Sequence, residues 1–190
     1  MVPMPFTESQ RATLLDTAWQ SIRHGLLHRR PPAINIADFD PVLTSPGASF
    51  VTLHAQGALR GCIGSLEAYR PLIEDVSENA FAAAFRDPRF NPVQEEELDG
   101  INLDISVLGT PEPLHFSSER DLLHQLRPGK DGLILQDGNF RGTFLPAVWE
   151  SLPEPEQFLQ HLKLKAGLPT DHWSDTLQVW RYSTESFGDT

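Results

Sequence analysis

Cys62 is the only cysteine among 190 residues. It lies in "GALRGCIGSL", residues 57–66. A thiol there has two uses. As thiolate it is a nucleophile, and Arg60, two residues earlier, is a cation that would favour that form. Gly61 and Gly64 remove side chains on either side, which suits close approach by a ligand or by another stretch of backbone. The other use is packing, because a free cysteine serves well as a small buried apolar group. Residue types alone leave both readings open. A nucleophile also needs a base. His54 falls on the strand that should pair with that of Cys62, opposite Ala58 or Leu59. His161 falls on a late helix. Either histidine reads equally well as a surface group or a satisfied core group.

Other side chains could hold a substrate. "RDPRFNP" sets Arg86 and Arg89 around an Asp-Pro pair, a spacing able to clamp a carboxylate or phosphate. It equally describes a helix end whose arginines settle the last carbonyls. Asp104 sits on the polar face of a strand and joins a site only if that face looks into a cleft. His24 and His28 share a helix face at a two-ligand spacing, but no third ligand accompanies them among three neighbouring arginines, so no metal site is expected. One cysteine cannot supply the three thiolates of a radical-SAM cluster.

Composition narrows the class. Lysine plus arginine number 15 and aspartate plus glutamate 26, a formal net charge of −11. That balance opposes nucleic-acid binding. No stretch is long and apolar enough to span a bilayer. The N-terminal "MVPMPFTESQR" lacks a signal-peptide layout, and a lone cysteine forms no internal disulfide, so a soluble cytoplasmic protein is expected.

The elements that must position these residues follow from periodicity. Thr7 and Gln10 make a capping-box spacing before Leu14, Leu15, Ala18, Trp19, Ile22 and Leu26, an amphipathic helix. "SFVTLHAQGALRGCIGSL" predicts two strands about a turn at Gln56-Gly57. "RPLIEDVSENAFAAAFRDPRF" predicts a helix opened by Pro71 and closed by Asp87-Pro88. "INLDISVL" alternates as a half-buried strand. "DGLILQDGNFRGTFLP" predicts a second hairpin with its turn at Asp137-Gly138. A helix closed by Gly167 and a final strand, "LQVWRYS", follow. Strand, turn, strand, helix, strand thus occurs at 50–108 and again at 132–183. Each hairpin carries an Arg-Gly after its turn, placing Arg60 and Arg141 at equivalent positions. Duplication would aim both at one cleft; a chance match would leave each as a solvated strand-end arginine. Either way the class is α+β, a mostly antiparallel curled sheet built from β-β-α-β units and flanked by helices.

"FVTL", "LRGCIGSL", "RDPRF", "INLDISVL", "RGTFLP" and "KAGLP" occur in this order, and in this the chain resembles the AMMECR-type domain from its first helix to "VWRY". "LRGCIG" is that family's signature. The resemblance implies a single domain, two-lobed and α+β, with a cleft beside the signature. Bacterial and archaeal members are called AmmeMemoRadiSam system protein A, which implies a Memo-like protein and a radical-SAM protein as partners. It leaves the reaction and any cofactor open. Many bacterial relatives carry a cysteine in the helix before "KAGLP"; Lys163 stands there in this chain. Two functions follow. One is a pathway component that binds a small anionic substrate or a partner at the signature, using Arg60, Gly61, Gly64, Arg86, Arg89, Asp104 and Arg141. The other is an enzyme with Cys62 as nucleophile or acid and His54 or His161 as base.

Overall fold

The computed structural model describes residues 4–189. The chain forms two compact units, one running to Leu108 and including the stretch from Glu185 onward, the other spanning Gly109–Thr184.

The first unit opens with α1 (Glu8–His28), whose capping box is formed by Thr7 and Gln10. A short α2 (Pro41–Thr44) leads to β1 (Pro46–Gly47), β2 (Ser49–Ala55), β3 (Ala58–Gly64) and β4 (Arg70–Pro71), then to α3 (Leu72–Phe85) and β5 (Ile101–Leu108). In the second unit β6 (Glu112–Pro113), α4 (Glu119–Gln125), β7 (Gly132–Asp137), β8 (Phe140–Phe144), α5 (Pro155–Ala166) and β9 (Gln178–Tyr182) follow. β10 (Thr184–Gly188) completes the first sheet.

That sheet has the order β10-β5-β2-β3, and the second has β6-β9-β7-β8. In each, a hairpin is joined on the side of its first strand by an antiparallel strand that returns after a helix. Alternation decides which face is buried. Val51, Leu53, Leu103, Ile105 and Val107 point inward, against Leu72, Val76 and Ala80 of α3 and Leu14, Ala18 and Ile22 of α1. In the second unit Leu133, Leu135 and Val179 pack on Phe158, Leu159 and Leu162 of α5. The Trp149 ring stacks on Phe158 at 3.7 Å between centroids.

The two Arg-Gly pairs have a common physical cause in their glycines. A Cβ on Gly61 would fall 2.1 Å from the carbonyl oxygen of Ala83, near the end of α3. A Cβ on Gly142 would fall 2.9 Å from the amide nitrogen of Ala166, the last residue of α5. In each unit a helix end lies directly on a hairpin strand, and only a bare backbone admits that approach.

The first turn is as the sequence predicts, with Gln56 and Gly57 both left-handed at φ 53° and 77°, the requirement of a tight hairpin turn. The second lies one residue later than expected. Asp137 pairs with Phe140, so the corners are Gly138 and Asn139. The left-handed φ of 59° belongs to Gly138.

Candidate functional site around Cys62

β3 is an edge strand, and its pairing with β2 is interrupted. Leu53 opposes Gly61 but His54 opposes Leu59, leaving Arg60 as the extra residue of a bulge. Beyond the bulge Thr52 faces Cys62 on one side and Asp104 on the other. These three side chains form a row across the face opposite the core. The Cys62 Sγ and Thr52 Oγ1 atoms are 3.3 Å apart and share a hydrogen bond. Cys62 is half-buried.

The peptide of Cys62 points away from β2 and is gripped from outside. Its N–H donates to Asp87 Oδ2 at 2.9 Å, and its carbonyl accepts from the Arg89 guanidinium at 3.3 Å. Arg89 in turn donates to both Asp87 oxygens, at 3.0 and 2.7 Å. A single Asp-Arg pair therefore satisfies both exposed edge groups of the cysteine, which removes a sticky point from the sheet edge. The Arg89 guanidinium, with the N–H groups of Cys62 and Arg89, holds the Asp87 carboxyl well below the usual carboxylate range, against the opposing effect of burial.

Several residues named from the sequence stand elsewhere than a thiol site would need. Arg60 donates from Nε and a terminal nitrogen to Glu97 at 2.8 and 3.0 Å and lies 5.9 Å from the Phe90 ring centroid. Its charge is neutralised by that carboxylate, which the Arg60 contact holds below its ordinary pKa. Gly61 is spent on α3. Gly64 lies beneath Phe50, whose ring a Cβ would meet at 2.2 Å. Both glycines thus admit close packing, of the Ala83 carbonyl on one and of the Phe50 ring on the other. His54 Nδ1 lies 3.3 Å from Asp104 Oδ2, so its ring turns to β5, away from the strand of Cys62. Arg86 extends over Phe81, 4.8 Å from the ring centroid. Arg141 and His161 belong to the second unit. Arg141, on β8, opposes Gln136 of β7, and His161 Nδ1 is hydrogen-bonded to the Gln157 carbonyl of its own helix at 2.9 Å.

Sequence reasoning missed Thr52, Asp87 and Glu97. Thr52 could have been found by carrying the strand count through one bulge. In the sequence Asp87 is a helix stop between two arginines, and Glu97 ends the glutamate run 95–97, a pattern that ordinarily faces solvent.

Lys163 is fully buried. Its ammonium donates to Glu119 Oε1 at 3.0 Å and to the Thr170 carbonyl at 3.3 Å and lies 5.7 Å from the Trp173 ring centroid. Also in the second unit, Asp137 accepts from Ser174 and Thr176 hydroxyls at 2.5 and 2.6 Å, with His172 Nε2 at 2.6 Å. These contacts, Ser174 foremost, hold its pKa at about 2. A carboxyl depressed in the folded state stabilises above its unfolded pKa, about 3.9, and that contribution is lost as pH falls through the folded value. The loss for Asp137 is expected between about pH 4 and about pH 2; for Asp87, held lower, it reaches further into acid. Urea midpoints measured at about pH 5 and about pH 3 should fall with acid, and Asp137→Asn should flatten that dependence. An unchanged slope in the variant would contradict the assignment.

Among the described residues no helix is long and apolar enough to cross a membrane, and no group of three or more histidine, cysteine, aspartate or glutamate side chains is placed to hold a metal ion.

The chain is α+β, with two four-stranded sheets and a two-stranded one, β1-β4, and Cys62 lies on an edge strand held by Asp87 and Arg89. The AMMECR1 family model matches residues 15–187. The chain is 40% identical over 190 residues to a protein of Methanothermobacter thermautotrophicus, covering 96% of each. It is 41% identical over 141 residues to one of Thermotoga maritima, covering 73% of this chain and 76% of that one. The crystal structure of Uncharacterized Protein PH0010 from Pyrococcus horikoshii superposes with a TM-score of 0.82 at 34% identity, over 93% of this chain and 89% of that one. The chain belongs to the AMMECR1 family.

Proposed function

We propose that this protein is a binding component of a pathway shared with a Memo-like protein and a radical-SAM protein, and that it engages its substrate or partner through the outer face of the first sheet at Cys62. The observation that carries this reading is the grip on Cys62. Its peptide is fixed on both sides by Asp87 and Arg89, while its sulfur shares that outer face with Thr52. Such a group is held to be recognised. A nucleophile would need a base on the sulfur, and His54 is instead engaged with Asp104. Because Arg60 and Arg89 already hold carboxylates, the recognised group has no need to be an anion.

Native-state alkylation of Cys62 with iodoacetamide between about pH 6 and about pH 9 tests accessibility across the thiol range. Co-purification with the Memo-like and radical-SAM proteins of the same genome, before and after alkylation, tests recognition. The expected result is association that alkylation abolishes and that Thr52→Val weakens. No association of the unmodified protein, or association indifferent to alkylation, would refute the proposal. An alkylation rate already on its plateau at the acid end would favour the nucleophile reading instead.

A further inference from the structure

A separate cavity of about 380 Å³ lies on the helical side of the first unit, a size typical of small-molecule sites. Gly25 of α1 explains its floor. A Cβ there would fall 2.4 Å from the Phe85 ring and 2.7 Å from that of Phe81, so the two rings lie against bare helix backbone. Val93 completes the floor, and both it and Phe81 are buried.

The rim is cationic. Arg29 and Arg86 line the cavity, and no acidic side chain does. In a chain with 26 acidic and 15 basic residues, that is a local reversal of the average. Among the described residues neither arginine has a carboxylate partner, whereas Arg60, Arg70, Arg89 and Arg127 each hold one. Arg29 is the αL cap of α1 and Arg86 the cap of α3. Both helices therefore present their negative ends here. Those ends carry about half a charge apiece, less than the two whole charges on the guanidinium groups. The site is left net positive over an aromatic floor.

We propose that this cavity binds a small carboxylate carried on an aromatic body, with the carboxylate taken by Arg29 and Arg86 and the ring laid against the half-buried Phe85 beside Leu26 and Pro92. Two planar donor forks suit a carboxylate, and offset or edge contact with the Phe85 ring suits an aromatic body. The assignment concerns a different face of the unit from Cys62 and does not depend on the pathway proposed above.

Calorimetric titration with 3-phenylpropionate, its neutral amide 3-phenylpropionamide, and inorganic phosphate tests it on the unaltered protein. The acid is expected to bind at least about tenfold tighter than the amide, since each hydrogen bond to a charged group contributes at least about that factor. Phosphate, lacking the ring, is expected not to displace it at equal concentration. Arg29→Asn, which retains a residue tolerant of the left-handed cap, and Arg86→Gln are each expected to weaken the acid about tenfold. Equal affinity for acid and amide, displacement by phosphate, or unchanged binding in both variants would overturn the proposal. The acid-amide comparison needs no variant, so a folding defect cannot mask the answer.

Discussion

Replacing Asp75 with alanine is expected to lower the stability of this protein by about 3–5 kcal/mol, the cost of breaking a buried charged network. The Asp75 carboxylate is fully buried and accepts from five donors. They are the Ser49 N–H at 2.8 Å, the Ser49 and Ser65 hydroxyls at 2.7 Å each, Arg70 Nε at 2.8 Å and the Asn79 amide at 2.9 Å. These groups belong to the start of β2, the segment after β3, β4 and α3. One side chain therefore ties the LRGCIG hairpin to the helix behind it. Alanine would leave the Ser49 N–H buried without its acceptor, which by itself costs about 1–3 kcal/mol. Arg70→Ala should cost less, about 1–2 kcal/mol, because it removes one donor and leaves four around the carboxylate. Guanidinium unfolding at neutral pH would measure both. An Asp75→Ala midpoint equal to wild type, or an Arg70→Ala loss as large as that of Asp75→Ala, would show that the network does not work this way.

The role of Asp75 also marks where sequence reading stops. An acidic residue in the first turn of a predicted helix is expected from the helix dipole, and α3 does start at Leu72. What could not be read is that this turn lies over the end of a strand 26 residues earlier, where a free N–H waits. Alternation made β2 and β5 legible because one face is buried and the other is not. Capping residues made α1 and the end of α5 legible, since Thr7, Gln10 and Gly167 act on their own neighbours. β10 carried no such signal. Its residues alternate little in burial, and it is held to β5 partly by a hydrogen bond between the Ser106 and Ser186 hydroxyls.

The candidate site follows the same division. That Cys62 lies on a strand beside a turn is a local property, and it was legible. Which partner each charged group takes is a long-range property. Arg60 and Glu97 are 37 residues apart, and Cys62 and Asp87 are 25 apart. The bulge at Arg60 decides the rest, because it turns that side chain off the row that Thr52 and Cys62 share. Strict alternation would have placed the arginine beside the sulfur. Lys163 shows the same limit from the other side: a lysine on a helix reads as solvated, and only the fold reveals Glu119 and the Thr170 carbonyl waiting for it.

Gly61→Ala is expected to cost about 3 kcal/mol, the upper end for overpacking a core position, and to expose Cys62. The added methyl would meet the Ala83 carbonyl at 2.1 Å. That atom is backbone in the last turns of α3 and cannot rotate aside, so strand and helix must separate. β3 is an edge strand and gives way more easily than a helix packed on two sides. Its peptide at Cys62 is anchored to Asp87 and Arg89, which follow α3 directly, so the separation pulls on the same clamp. Native-state alkylation of Cys62 should accelerate in step with the loss of stability. Two further glycines calibrate the effect. Gly142→Ala, with its nearest atom at 2.9 Å, should cost less, about 1–2 kcal/mol. Gly100→Ala meets nothing within 4 Å and should stay within about 0.5 kcal/mol of wild type. The order Gly61, Gly142, Gly100 in thermal or denaturant unfolding is what the packing requires. If Gly61→Ala matched Gly100→Ala, the contact with α3 would not be what holds the LRGCIG strand, and the clamp by Asp87 and Arg89 would have to carry that strand alone.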